Sequence, residues 1–178
     1  MQSPLSANLT KNHFELFDIP ITFDIDNEQL TARYRTLQRM FHPDRFAHTT
    51  PQEQRLSMQY SAQLNDAYQV LKKPLNRAEY LLTLYDVSNE GHTVTDGEFL
   101  MEQFELREQL MAIRKHDDGA DQLVPFSTQI QQRLTTLMQQ FSEQMRAKNL
   151  ERAQLTLNRM QFVTRLLDEI EALEEELC

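Results

Sequence analysis

Arg39-Met40-Phe41-His42-Pro43-Asp44-Arg45-Phe46, with Thr50-Pro51-Gln52-Glu53 close behind, decides how the first half of the chain folds. Upstream, Leu30, Tyr34, Leu37 and Phe41 recur at i, i+4, i+7 and i+11, the single apolar stripe of a helix. Asp26 or Asn27 can cap that helix, which runs from Glu28 to about Phe41. Pro43 disfavours helical geometry at His42, so the helix stops there. Downstream, Thr50 as cap, Pro51 at the first helical position and Glu53 three residues on make a capping box with a proline start. The second helix continues to about Lys72 and buries Leu56, Tyr60, Leu64, Ala67 and Leu71. A polar tripeptide, His42-Pro43-Asp44, therefore sits at the tip of a helical hairpin, stiffened by the fixed dihedral of Pro43.

On the outer side of the first hairpin helix, Arg35, Arg39 and His42 fall within about 60° of one another, and Arg45 extends the strip past Asp44. Such a strip leading into a rigid corner suits a partner groove with acidic and hydrogen-bonding groups. The plainer alternative is solvated arginines, with Asp44 merely satisfying loop N–H groups. An enzyme would need more than His42 as a base with Asp44 to orient it. No glycine-rich loop, nucleophile elbow or oxyanion site accompanies them, and across a proline a residue at i+2 is not expected to point back at its neighbour. No catalytic residue is expected.

Outside the hairpin the pattern stays helical. Asn12 to Phe17 reads as a short helix stopped by Pro20, and Pro74 ends the second hairpin helix. Asn76 to Tyr85 follows with Ala78, Leu81 and Leu82 inward. Residues 86 to 94 have a linker composition. Thr95-Asp96-Gly97-Glu98 repeats the capping logic and opens a helix to about His116, which Asp117-Asp118-Gly119 breaks. Two long helices, Pro125 to Lys148 and Leu150 to Leu177, complete a three-helix bundle. No segment alternates as a strand. The reading is all-α, with modules at 1–86 and 95–178 and a linker at 87–94.

Composition narrows the function classes. Three Gly and no Trp in 178 residues favour helices over a turn-rich sandwich. One cysteine, Cys178, cannot form an internal disulfide or a Cys-based metal site. His13, His42, His48, His92 and His116 show no ligand spacing, so neither metal nor cofactor is expected. No apolar run is long enough to span a bilayer and no signal peptide is evident, so a cytoplasmic protein is expected. The net charge of −9 is uneven: residues 1–86 hold 9 Lys/Arg against 10 Asp/Glu, residues 87–178 hold 9 against 17. The second module would repel a phosphate backbone, so nucleic acid is not an expected partner.

The helix after the linker carries two apolar stripes. Phe99, Leu106, Leu110 and Ile113 cluster within about 60° and form the core stripe. Leu100, Phe104 and Met111 cluster roughly 130° away, with Met101 and Glu108 beside them. A helix with two neighbours could bury both stripes. The alternative is an exposed patch fringed by Glu105 and Glu108, a protein-binding surface. Periodicity leaves both open.

Tyr34-Arg35 through Phe41-His42-Pro43-Asp44-Arg45-Phe46, then Leu64-Asn65-Asp66-Ala67-Tyr68, Pro74 and Arg77-Ala78-Glu79-Tyr80, resemble a J domain. Phe99-Leu100-Met101-Glu102-Gln103-Phe104-Glu105-Leu106-Arg107-Glu108 extends the likeness over nearly the whole chain, to the HscB family of J-type co-chaperones of iron–sulfur cluster assembly. The resemblance implies that His42, Pro43 and Asp44, with Arg35, Arg39 and Arg45, engage the DnaK-class ATPase chaperone HscA and stimulate ATP hydrolysis. It further implies that Leu100, Met101, Phe104, Glu105, Glu108 and Phe162 hold the scaffold protein IscU, although Phe162, at the edge of the apolar stripe of the last helix, could equally be bundle core. Phe41 replaces the family's usual tyrosine, Phe104 a common leucine, and Ala112 a further acidic contact. Other roles in view are a J protein for a different client and an adaptor without effect on ATP hydrolysis.

Overall fold

A computed structural model describes residues 10–87, 97–116 and 118–177, and among these every regular element is helical. The chain divides into two compact units between Leu81 and Leu82. No helix of the described residues is long and apolar enough to cross a membrane.

The first unit opens with α1 (His13–Leu16), capped by Asn12, whose side chain accepts the Glu15 N–H while the Glu15 carboxylate takes the Asn12 N–H. Helix α2 (Asn27–Phe41) starts at Asp26, whose carboxylate accepts the N–H groups of Glu28 and Gln29. A 3₁₀ turn (Pro43–Phe46) forms the tip, and α3 (Pro51–Lys72) returns. Its start follows the expected reciprocal cap: Thr50 accepts from Glu53 N–H, and Glu53 accepts from Thr50 N–H. The Thr50 hydroxyl, and after it the Thr50 N–H, donate to the Glu53 carboxylate and hold its pKa below the usual carboxylate range.

The hairpin is fastened by a half-polar seam. The Tyr34 and Tyr68 rings stack at 4.1 Å, and Tyr34 Oη donates to Asn65 Oδ1. Near the tip, Phe41 meets buried Tyr60 edge-on at 4.7 Å. Leu30 and Leu64 are fully buried, whereas Tyr34, Leu37, Phe41 and Leu56 are half-buried, so the expected stripe thins toward the tip.

Pro74 does not simply end a helix. Helix α3 stops at Lys72, and Pro74 itself opens α4 (Pro74–Leu84), two residues before the expected start. A proline suits the first helical turn, where its missing N–H would find no partner anyway. Arg77 is buried there. Its guanidinium donates to the carbonyls of Leu71 and Phe23 and to Asn27 Oδ1.

The second unit holds α5 (Gly97–Lys115), α6 (Gly119–Arg146) and α7 (Leu150–Leu177), with α6 and α7 the most extensively paired. Buried Leu123, Phe126, Ile130, Leu137 and Phe141 line α6 at three- to seven-residue steps. Leu157, Met160, Val163, Leu166, Ile170 and Leu173 answer from α7. This is the expected three-helix bundle. The start of α6 differs from expectation: it begins at Gly119, and Pro125 lies inside it. Asp121, whose carbonyl loses its i+4 donor to Pro125, is exposed, as are Val124 and Pro125, so this stretch of α6 faces water. The α6–α7 turn is closed without glycine by Lys148 at φ 55°, its N–H bonded to the Met145 carbonyl. The expected cap Thr95-Asp96 lies outside the described residues, as does most of the linker.

Candidate functional site

Each unit presents one candidate surface. In the first, α2 ends in a turn where His42, Asp44 and Arg45 are exposed and Pro43 is half-buried. His42 has extended-type backbone (φ −58°, ψ 132°), the geometry a following proline favours. Its Nδ1 accepts the Asp44 N–H at 3.3 Å, so the imidazole caps the 3₁₀ turn. Asp44 Oδ2 lies 3.4 Å from that same nitrogen, its side chain 89% exposed. One alternative and one expectation fall here. Asp44 accepts no loop backbone N–H among the described residues, because His42 does the capping. The i+2 residue does reach back across the proline.

Arg35, Arg39 and Arg45 are exposed along the strip. Arg39 Nε donates to the Arg35 carbonyl, and Arg45 donates to the Arg39 carbonyl at 3.3 Å. Arg39, in the last turn of α2, and Arg45 just past it sit at the carbonyl end, where the helix dipole favours positive charge. None of the three forms an ion pair among the described residues, which leaves a basic edge beside the tip.

In the second unit, α5 buries Leu106, Leu110 and Ile113 and half-buries Phe99. The other stripe stays uncovered: Leu100 is 51%, Met101 62%, Phe104 60% and Met111 63% exposed. Glu105 and Glu108 are exposed beside it. Glu102, on the flank, is taken by Arg133 of α6. Burial, and secondarily the Arg159 charge, hold the Arg133 pKa below its ordinary value.

Phe162 departs from the expected set. It is 4% exposed, its ring edge-on to Phe99 at 5.9 Å, so it is bundle core under the surface and not part of the exposed ridge. Its position at the edge of the α7 stripe did not settle this, because α5 and α7 close over it in space. The sequence reading passed over Arg107, whose Cζ lies 5.7 Å from the Phe162 ring centroid. Its spacing, three residues after Phe104 and four before Met111, could have flagged it.

A hairpin of this build with His-Pro-Asp at its tip defines the class of J-domain co-chaperones. Residues 12–80 match the family model described as DnaJ domain, and residues 95–171 match that described as HSCB C-terminal oligomerisation domain. The chain belongs to the HscB family, the J-type co-chaperones of iron–sulfur cluster assembly. It is similar to the solved structure of chaperone HscB from Vibrio cholerae, at 38% identity over 94% of this chain and 100% of that one, with a TM-score of 0.86. The human co-chaperone protein HscB is 26% identical over 96% of this chain and 83% of that one, TM-score 0.81. Jac1 co-chaperone from Saccharomyces cerevisiae shares the fold, at 21% identity over 92% and 93% of the two chains and a TM-score of 0.67.

Proposed function

We propose that the protein binds the iron–sulfur scaffold IscU through the α5 ridge, presents it to the chaperone HscA, and stimulates HscA ATP hydrolysis through the His42-Pro43-Asp44 tip. The observation that carries this reading is the ridge itself: Leu100, Met101 and Phe104 lie exposed in a row beside Glu105 and Glu108, on a helix whose opposite face is core. Contiguous apolar surface rimmed by charge is what a docking site needs. Arg35, Arg39 and Arg45 would meet acidic groups of the chaperone while the tip enters its groove. The two modules are taken as residues 1–86 and 95–178, joined by 87–94, in a cytoplasmic protein. Holding client and chaperone on one chain raises each partner's local concentration around the other.

The test is the steady-state ATPase rate of the chaperone with this protein, with the scaffold, and with both. Stimulation by the protein alone and a larger effect of the two together are expected. His42→Gln should abolish the stimulation while changing stability by no more than about 0.5 kcal/mol, since the site is exposed. Leu100→Ala with Phe104→Ala should weaken scaffold binding by about 2 kcal/mol or more and spare stimulation by the protein alone. Full stimulation by His42→Gln would remove the chaperone half of the reading. Unchanged scaffold affinity in the ridge variant would point to a different client.

A further inference from the structure

Arg107 lies on the same side of α5 as the ridge, between Phe104 and Met111. It is exposed, and among the described residues it has no hydrogen bond and no ion pair. Two other arginines of the bundle are occupied by carboxylates: Arg114 is bonded to Glu176 at 2.6 Å and Arg133 to Glu102. Glu169 lines the same shallow groove as Arg107, Leu110 and Met111, yet does not pair with Arg107. What holds the guanidinium is the Phe162 ring beneath it, braced in turn by Phe99.

A cation on the flank of an apolar contact is a liability unless the partner answers it. Closing a hydrophobic surface over an unpaired guanidinium removes its water and gives nothing back. A carboxylate fits the planar N–H fork bidentately, and a ring under the guanidinium limits the freedom lost on pairing. Elsewhere this surface repels anions, with Glu105 and Glu108 close by. A single place that accepts a carboxylate fixes register on an otherwise greasy ridge.

We propose that Arg107 is a further docking residue of the scaffold-binding face, pairing with a carboxylate of the scaffold protein, and that Phe162 acts through it as a positioning residue. This rests on the reading of the α5 ridge given above. It would give buried Phe162 an indirect part in docking.

The experiment is calorimetric titration of the full-length protein with the scaffold at low and high salt. The panel is Arg107→Met, Phe162→Leu, the two combined, and Leu100→Ala with Phe104→Ala. Arg107→Met keeps the apolar bulk and drops the charge. It should bind about tenfold more weakly, the worth of one charge-assisted hydrogen bond, with a flatter salt dependence. Adding Phe162→Leu to Arg107→Met should cost less than Phe162→Leu does alone, because the ring acts through the arginine. Wild-type affinity in Arg107→Met, with the ridge variant weakened, overturns the inference and leaves the scaffold reading standing. Additive losses remove the positioning role of Phe162. Retained affinity in the ridge variant overturns the scaffold reading, and this inference falls with it.

Discussion

Arg77 in the first unit and Arg107 in the second hold their guanidinium groups at nearly the same distance from a phenylalanine, 5.6 Å from Phe23 and 5.7 Å from Phe162. Arg77 is buried and donates to three acceptors on three separate stretches of chain, before α2, at its start and at the end of α3. Arg107 is exposed and donates to none among the described residues. The same side chain on the same kind of ring is structural where the chain supplies the oxygens and available to a partner where it does not. Burial lowers the Arg77 pKa to about 10, against a smaller opposing effect of Asp24, so it remains charged at neutral pH. Its charge is tolerated inside because the fork is filled.

The comparison can be broken most directly at Arg77. Arg77→Met should destabilise the first unit by about 3 kcal/mol, since two buried carbonyls and an amide oxygen lose their donor. Urea unfolding followed by tyrosine fluorescence reports mainly on this unit, because four of the five tyrosines, Tyr34, Tyr60, Tyr68 and Tyr80, lie in it. A loss under about 1 kcal/mol would mean that the three bonds are replaceable. Next in size, Phe162→Leu should lower the stability of the second unit by about 1 kcal/mol, as a buried ring is exchanged for a smaller apolar group. Circular dichroism during thermal unfolding checks it. At the small end, Arg107→Met should move that same transition by no more than about 0.5 kcal/mol. A larger shift would make Arg107 structural, like Arg77, and erase the contrast.

A smaller effect still is expected from acid. His13 stacks on Tyr80 at 4.0 Å, its Nδ1 is buried without a partner, and burial lowers its pKa below the ordinary 6.5 despite an opposing pull from Asp66. The unfolded chain takes up a proton near pH 6.5 and the folded one does not until lower pH. Stability is therefore full above about 6.5 and falls as the pH drops toward the lowered folded value. His13→Phe, which keeps the stack, should flatten the urea midpoint between pH 6.5 and 5. An unchanged slope would assign the acid sensitivity elsewhere.

What the sequence revealed follows the range of the interactions. Thr50-Pro51-Glu53 and Asp26 were readable because a cap is made within four residues. The α5 face was readable as two stripes, but which one stays open depends on where α6 and α7 lie, and periodicity carries no such information. Arg77 could be quoted as part of a motif without its role being visible, since its acceptors lie up to 54 residues away. Pro74 and Pro125 were both misjudged for one reason. A proline forbids a single hydrogen bond, and whether that ends a helix depends on its place in the turn and on the water around it.

The imidazole cap at the hairpin tip has one more outcome. A ring nitrogen that accepts an N–H carries no hydrogen, so neutral His42 must keep its proton on Nε2. In that arrangement the bond to the Asp44 N–H sets the direction of the first hydrogen bond that any visitor to the loop can make. With the first nitrogen so engaged, whatever meets the second must bring a lone pair.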